Sequence, residues 1–337
     1  MLLAVCAGAA FLVSLLLPFV FIPLLRRLGV LDVPNERSSH TTVVIRGVGV
    51  TVAAGVLTGL VLSLATGLVA VDRSVAAILI AVIGLASLLG WIEDWRGVSV
   101  RVRAGSQLAI GLAGTAALAW TMEQSWWWVP VGGLAIAAYI NVANFMDGIN
   151  GISGLHGLTV GALYSVSGVL SDHVWLTVAG AVTAAAFAAF LPWNLGRGQV
   201  FLGDVGSYLL GASIAGTAVA AFLAGVYVEY LLFPILIYLA DTFSTLLRRV
   251  RRGERWYAAH RQHVYQRLTD SGLSHVQVSL LVTGCTLAVG AAGLVTAGAG
   301  AGATLAGVLF SVAVVVFYLA SPGLLARRSA SRGGRPA

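Results

Sequence analysis

The sequence predicts an all-α polytopic membrane protein of about 11 transmembrane helices (10–11), with its N-terminus outside and its C-terminus in the cytoplasm. Three observations carry that prediction: too little charge to cover a water-soluble globule, apolar runs of membrane-spanning length along nearly the whole chain, and a one-sided distribution of arginine. Of 337 residues, 58% are hydrophobic and 10% charged, and the mean hydropathy is +0.92. A chain of that composition must be solvated by lipid.

A helix needs about 20 mainly apolar residues to cross a bilayer. Such runs lie near 2–25, 47–70, 74–92, 105–121, 126–141, 154–170, 173–192, 205–225, 230–248, 277–298 and 302–324. Some are short or rich in glycine, so two neighbours are open to being re-entrant or broken helices. The expected organisation is one integral membrane domain over 1–325, followed by a basic, disordered cytoplasmic tail over 326–337. The first run has no basic segment ahead of it and ends in Arg26 and Arg27, the reverse of a secretory signal peptide, so it reads as a retained helix. Cys6 and Cys285 both fall inside apolar runs, and neither a disulfide framework nor a cysteine metal site is expected.

All twenty basic residues are arginine. If eleven spans alternate from an external N-terminus, every arginine except Arg73 falls in a cytoplasmic loop or in the tail, as the positive-inside bias requires. The expected location is the bacterial inner (plasma) membrane, crossed many times. Trp126, Trp127 and Trp128 sit at the outer mouth of the fifth run, where an aromatic belt forms. The net charge of +7 belongs to arginines that flank spans and meet anionic headgroups, so no nucleic-acid partner is expected.

On this topology the loops rich in Asp, Asn, His and Arg all face the cytoplasm, and the external loops are bland. Loop one, D-V-P-N-E-R-S-S-H-T-T-V-V-I-R-G-V-G, carries Asp32, Pro34, Arg37, His40 and Arg46 and, taken alone, reads equally as a charged linker. Loop two, G-W-I-E-D-W-R-G-V-S-V-R-V-R-A-G-S-Q, puts Glu93 and Asp94 at the membrane edge ahead of Arg101 and Arg103. That arrangement suits a divalent cation shared with substrate phosphates, or else an acidic pair neutralised by arginines. Loop three, N-V-A-N-F-M-D-G-I-N-G-I-S-G, gathers Asn141, Asn144, Asp147 and Asn150. The two asparagines three apart share a helix face, and polar groups are costly near membrane depth.

Loop four, P-W-N-L-G-R-G-Q-V-F-L-G-D-V-G-S, places Asp204 at the start of a span, either as a helix cap or as a cation ligand beside a phosphate-attracting N-terminus. Loop five, R-R-V-R-R-G-E-R-W-Y-A-A-H-R-Q-H-V-Y-Q-R-L, holds His260, Arg261 and His263, a donor-rich cradle for a diphosphate, with transition-metal binding by the histidines as the weaker reading. Asp241 lies inside the ninth run and is a functional candidate by its depth; His156 reads as a packed side chain.

Taken in order, D-V-P-N-E-R-S-S-H, E-D-W-R-G-V-S-V-R-V-R-A-G, N-V-A-N-F-M-D-G-I-N-G, F-L-G-D-V-G-S and H-R-Q-H-V-Y-Q-R-L resemble the signature loops of the polyprenyl-phosphate N-acetylhexosamine-1-phosphate transferases, glycosyltransferase family 4. The resemblance covers nearly the whole chain. It departs from the family pattern in three places: Glu93 stands where an aspartate is usual, arginine replaces lysine in loops one and two, and loop five lacks a run of three histidines. The last feature resembles the branch that starts O-antigen (lipopolysaccharide), capsule or other surface glycans.

The resemblance implies a Mg2+-dependent enzyme, with Mn2+ as the alternative ion, whose active site lies on the cytoplasmic face. It would move an N-acetylhexosamine 1-phosphate, or a deoxy derivative, from a UDP-sugar to undecaprenyl or another polyprenyl phosphate. It further implies that Asn144 and Asp204 hold the metal, that Glu93, Asp94, Asp147 and Asp204 are catalytic, and that Arg101, Arg103, Asn141, Asn150, Asp241, His260, Arg261 and His263 bind substrate. The partners so implied are a UDP-N-acetylhexosamine, the polyprenyl phosphate and membrane lipid, with a homodimer left open. The competing reading is a transporter of a phosphorylated or anionic solute, which suits many helices with polar residues, although no repeat relates the halves of this chain.

Overall fold

A computed structural model describes residues 1–32, 44–196, 200–254 and 261–333. The first apolar run forms α1 (Leu2–Leu16) and α2 (Pro18–Arg27), separated at Leu17, because Pro18 can open a helix but not continue one. Two short strands follow, β1 (Leu31–Asp32) and β2 (Val44–Ile45), paired antiparallel. Then come α3 (Gly49–Ala65), α4 (Arg73–Arg96), α5 (Val100–Thr121), α6 (Trp128–Met146), α7 (Ile152–Leu170), α8 (Val174–Leu195) and α9 (Gly203–Leu223). The ninth run is broken at Pro234 into α10 (Val228–Leu232), a 3-10 turn (Phe233–Ile235) and α11 (Leu236–Arg251). The chain closes with α12 (Val264–Asp270), α13 (His275–Thr296) and α14 (Ala301–Gly333).

Each of the eleven apolar runs is helical, and the protein is an all-α polytopic membrane protein. Among the described residues, eight helical stretches are long and apolar enough to cross a bilayer. The other three runs form α3, which has 17 residues, and α5 and α7, diluted respectively by Arg101 and Arg103 and by glycine, serine and His156. The broken runs are the first and the ninth, which are not neighbours. The helical backbone of α14 continues to Gly333, beyond the expected domain end at residue 325.

Lipid supplies no hydrophobic drive between helices, so close packing through small residues must hold such a bundle. A Cβ on Gly111 would meet the Gly133 carbonyl at 2.4 Å, one on Gly161 would meet the Ala184 nitrogen at 2.6 Å, and one on Gly211 would meet the Ile140 Cα at 2.5 Å. These positions seat α5 on α6, α7 on α8, and α9 on α6. Helix α9 is the central post, with nearly every residue buried. Helices α1 and α14 lie at the rim, and the outward Leu12, Phe19, Leu134, Leu309 and Phe317 are exposed to lipid.

The same packing fixes where the site forms. Gly90 near the end of α4 leaves room for the Asp204 carbonyl, and Gly49 at the start of α3 lies against Gly206, whose Cα would be 2.5 Å from an added Cβ. Two helix starts and one helix end therefore meet within a few ångströms, around the α9 N-terminus.

Candidate active site

The beginning of α9 has backbone N–H groups with no partner in its own helix. The carboxylate of Asp94, from α4, accepts two of them: Asp204 N at 2.9 Å and Val205 N at 2.9 Å. Arg46 Nε lies 2.6 Å from the same carboxylate, whose side chain is fully buried. Asp94 is thus the anion that caps α9, and Asp204, in the first turn, is left to point elsewhere. Gly203 permits the approach: it sits at φ +75°, and a Cβ there would come within 2.6 Å of Asp94 Oδ2.

Asp204 faces the second arm of the Arg46 guanidinium, which donates to Oδ2. Its Oδ1 accepts from Asn144 Nδ2 at 2.7 Å, and Asn144 also donates to Ser207 Oγ at 3.0 Å. Two carboxylates thus face one guanidinium in a poorly solvated place. The excess negative charge and the hard oxygen donors of Asp94, Asp204, Asn144 and Ser207 suit a magnesium ion that keeps substrate oxygens or waters as its remaining ligands. Among the described residues, no three His, Cys, Asp or Glu side chains form a cage by themselves.

Beside this centre, Arg103 of α5 pairs with Glu93 Oε1 at 3.1 Å, while Glu93 Oε2 and the Tyr208 hydroxyl are buried without a hydrogen-bond partner. Asn141 donates to Gln107 Oε1 at 2.6 Å, one turn deeper. Arg101 is exposed at the start of α5.

Loop three is tied to its neighbours through backbone and side chain alike. Asp147 accepts from Ser153 Oγ at 2.7 Å, and burial pushes its carboxyl up to about 7, against the lowering effect of that hydrogen bond. The Asn150 carbonyl accepts from Ser279 Oγ at 2.9 Å, and its side-chain oxygen is buried without a partner. Asn194 links two loops: its Oδ1 accepts from Gly151 N, and its Nδ2 donates to the Val200 carbonyl at 2.9 Å.

Loop five is organised by Asp241, the carboxylate expected to bind substrate. Asp241 is fully buried. Its Oδ1 accepts from His263 Nδ1 at 3.0 Å and Val264 N at 2.9 Å; its Oδ2 accepts from Tyr265 N at 3.2 Å and Tyr318 Oη at 2.7 Å. A carboxylate has room for about four such bonds, and these four hold the start of α12 against α11 and α14. Tyr265 in turn donates to the Phe145 carbonyl at 3.1 Å, which brings the loop against the end of α6. Arg261 pairs with Asp270 at 3.0 Å. His260, with Pro34, Arg37 and His40 of loop one, lies outside the described residues.

The structure therefore brings Glu93, Asp94, Arg103, Asn141, Asn144, Asp147 and Asp204 together at one end of the bundle. Arg46 was visible in loop one only as one more charge; its partners lie in loops two and four. Gln107, Ser153, Asn194 and Ser207 lie inside the quoted loops and Tyr208 just beyond one, but none stands out there, since each is an ordinary polar residue until its neighbour is known.

The family model for glycosyl transferase family 4 matches residues 75–222, a segment containing every one of those seven residues. Over that segment the chain is similar to that family. Similar proteins include a decaprenyl-phosphate N-acetylglucosaminephosphotransferase of Mycolicibacterium smegmatis, 29% identical, with 86% of this chain and 81% of the relative covered. Others are undecaprenyl-phosphate alpha-N-acetylglucosaminyl 1-phosphate transferases: one of Yersinia pestis, 28% identical, and one of Escherichia coli K12, 27% identical, each covering 81% of this chain and 78% of the relative.

Proposed function

We propose that this protein, which resembles glycosyl transferase family 4 over residues 75–222, transfers an N-acetylhexosamine 1-phosphate, or a deoxy derivative, from a UDP-sugar to undecaprenyl or another polyprenyl phosphate. An oxygen of the lipid phosphate bonds to the sugar-bearing phosphorus, the bond from that phosphorus to the UMP oxygen breaks, and UMP leaves. The product is a polyprenyl diphosphate sugar, the starter of a cell-surface glycan. The observation that carries this reading is the Arg46, Asp94, Asp204 and Asn144 cluster at the α9 N-terminus, inside the segment matched by the family.

Phosphoryl transfer asks mostly for positioning and charge neutralisation. A lipid phosphate has its second pKa near about 6 and is largely a dianion already, so no strong base is required. Asp94, with its oxygens given to α9 and Arg46, sets the position of Asp204 rather than meeting the lipid phosphate itself. Arg103 and Arg101 would hold that phosphate, with Glu93 fixing Arg103. His260, Arg261 and His263 would bind the donor diphosphate, and Asp147, Asn141 and Asn150 would line the nucleotide side. Magnesium, held by Asp204 and the Asn144 oxygen, supplies charge neutralisation for the diphosphate when bound.

An apolar groove of about 390 Å3 runs along α6, α9 and the broken α10 to α11 helix, lined by Ala135, Tyr139, Ala218, Leu231, Leu239 and Phe243 among others. Its inner end comes to Tyr139 and Phe243, sequence neighbours of Asn141 and Asp241, which suits a prenyl chain entering from the bilayer. Eleven spans with an external N-terminus put this end of the bundle in the cytoplasm, the arginine distribution being the support. A transporter would place its polar residues near mid-membrane; here they collect at one end.

The test is UMP release by purified protein given undecaprenyl phosphate, magnesium and a panel of UDP-N-acetylhexosamines, with Asp204→Asn as the control. Release that needs magnesium and is lost in the variant supports the reading and names the donor. No release with any donor from well-folded protein overturns it.

A further inference from the structure

Tyr318 stands about two turns from the end of the last span, Ala301–Ala326, in a helix that is otherwise mostly exposed to lipid. Its side chain is fully buried, and its hydroxyl donates to Asp241 Oδ2 at 2.7 Å. The other oxygen of that carboxylate accepts from His263 Nδ1 at 3.0 Å and Val264 N at 2.9 Å. One buried anion therefore joins α11, the start of α12 and α14. The Nδ1 contact fixes the plane of the His263 ring and directs the ring's other nitrogen away from the carboxylate.

We propose that Tyr318, acting through Asp241, is a positioning residue that holds His263 in the orientation needed to bind the donor diphosphate. This rests on the transferase reading above. It makes α14, a helix with no polar loop of its own, part of the donor site. The tyrosine hydroxyl leaves Asp241 one defined rotamer, and the carboxylate in turn leaves His263 one.

The experiment compares Tyr318→Phe with Tyr164→Phe, a control that removes an equally buried hydroxyl bond, from Tyr164 to the Leu231 carbonyl at 2.8 Å, elsewhere in the bundle. Donor and acceptor KM and kcat are measured for both in UMP release. Tyr318→Phe should raise the donor KM roughly tenfold, the worth of one hydrogen bond to a charge, and leave the acceptor KM unchanged. Tyr164→Phe should change neither. Tyr318→Phe should also add nothing in a His263→Ala background, because a residue that acts through another has no effect once that other is gone.

A donor KM unchanged in Tyr318→Phe, or additive losses with His263→Ala, overturns the inference while leaving the transferase intact. Absence of turnover in the wild-type protein overturns both. If Tyr318→Phe does not fold, Asp241→Glu serves in its place; it retains the charge and must show the same selective rise in donor KM.

Discussion

Arg46 carries a charge balance that can be tested directly. It bridges Asp94 and Asp204, and its side chain is 35% exposed. Breaking a buried ion pair costs about 3–5 kcal/mol, and partial solvent access brings this nearer to about 2 kcal/mol. Arg46→Gln should lower the thermal midpoint, and magnesium should restore more of it than it adds to the wild type, because a divalent ion can neutralise the two carboxylates in place of the guanidinium. Equal magnesium shifts in both proteins would remove Asp204 from the metal site.

Asp147 offers a second test at the same scale. Its folded carboxyl lies at about 7, above the free value of about 4. A raised carboxylate favours the protonated folded state, so its contribution to stability is complete below about pH 4 and is lost as pH rises through about 7. Asp147→Asn stays neutral throughout. Its thermal midpoint should therefore fall less than that of the wild type between about pH 5 and about pH 8.5; parallel curves would mean that Asp147 is ionised across the range.

At the scale of elements, the contacts between loops depend on residues that leave space. Gly148 has no unusual backbone angle, but an added Cβ would lie 2.1 Å from the Tyr265 hydroxyl. That hydroxyl is what docks α12 on the end of α6. Gly148→Ala should push Tyr265 away at a cost of about 1–3 kcal/mol and expose the start of α12 to protease, while a substitution at Gly284, with nothing within 4 Å of an added Cβ, should be silent. Comparable cleavage of both variants would show that the docking does not depend on Tyr265. Helix α9 shows the same dependence from the other side, since its N-terminus is capped by a residue of α4 rather than by one of its own.

At the scale of the molecule, alternation of the runs gathers all five polar loops at one end and the segments around 71–75, 121–124 and 173–175 at the other, where they line a pocket of about 440 Å3. Cys6 and Cys285 are free and buried, so cysteines introduced singly report on topology. A cysteine at Val71 or Trp127, both strongly exposed, should react in intact cells with an impermeant maleimide. One at Arg101 should react only after permeabilisation. The reverse pattern would invert the proposed orientation.

How much of this was legible depends on the range of the interaction. The eleven helices follow from apolar length, a property of each stretch alone, and the structure finds a helix in every run. The positions of Asp94, Asn144, Asp147 and Asp204 near one another followed from alternation, because strictly alternating spans return their loops to the same side. The two broken helices were legible as a kind but not in place, since Pro18 and Pro234 break a helix only where the surrounding packing accepts the bend.

The sequence by itself determined the membrane class, the helices and the residue types at the site, because lipid solvation and helix formation are local constraints. Only the tertiary structure decided what each polar side chain does. It turned Asp94 into the cap of α9 and Asp241 into the anchor of loop five, with Arg46 as the partner of the first and Tyr318 of the second. The reason is physical: a buried charge must be satisfied by whatever donors surround it, and here those donors come from segments as much as 158 residues away along the chain.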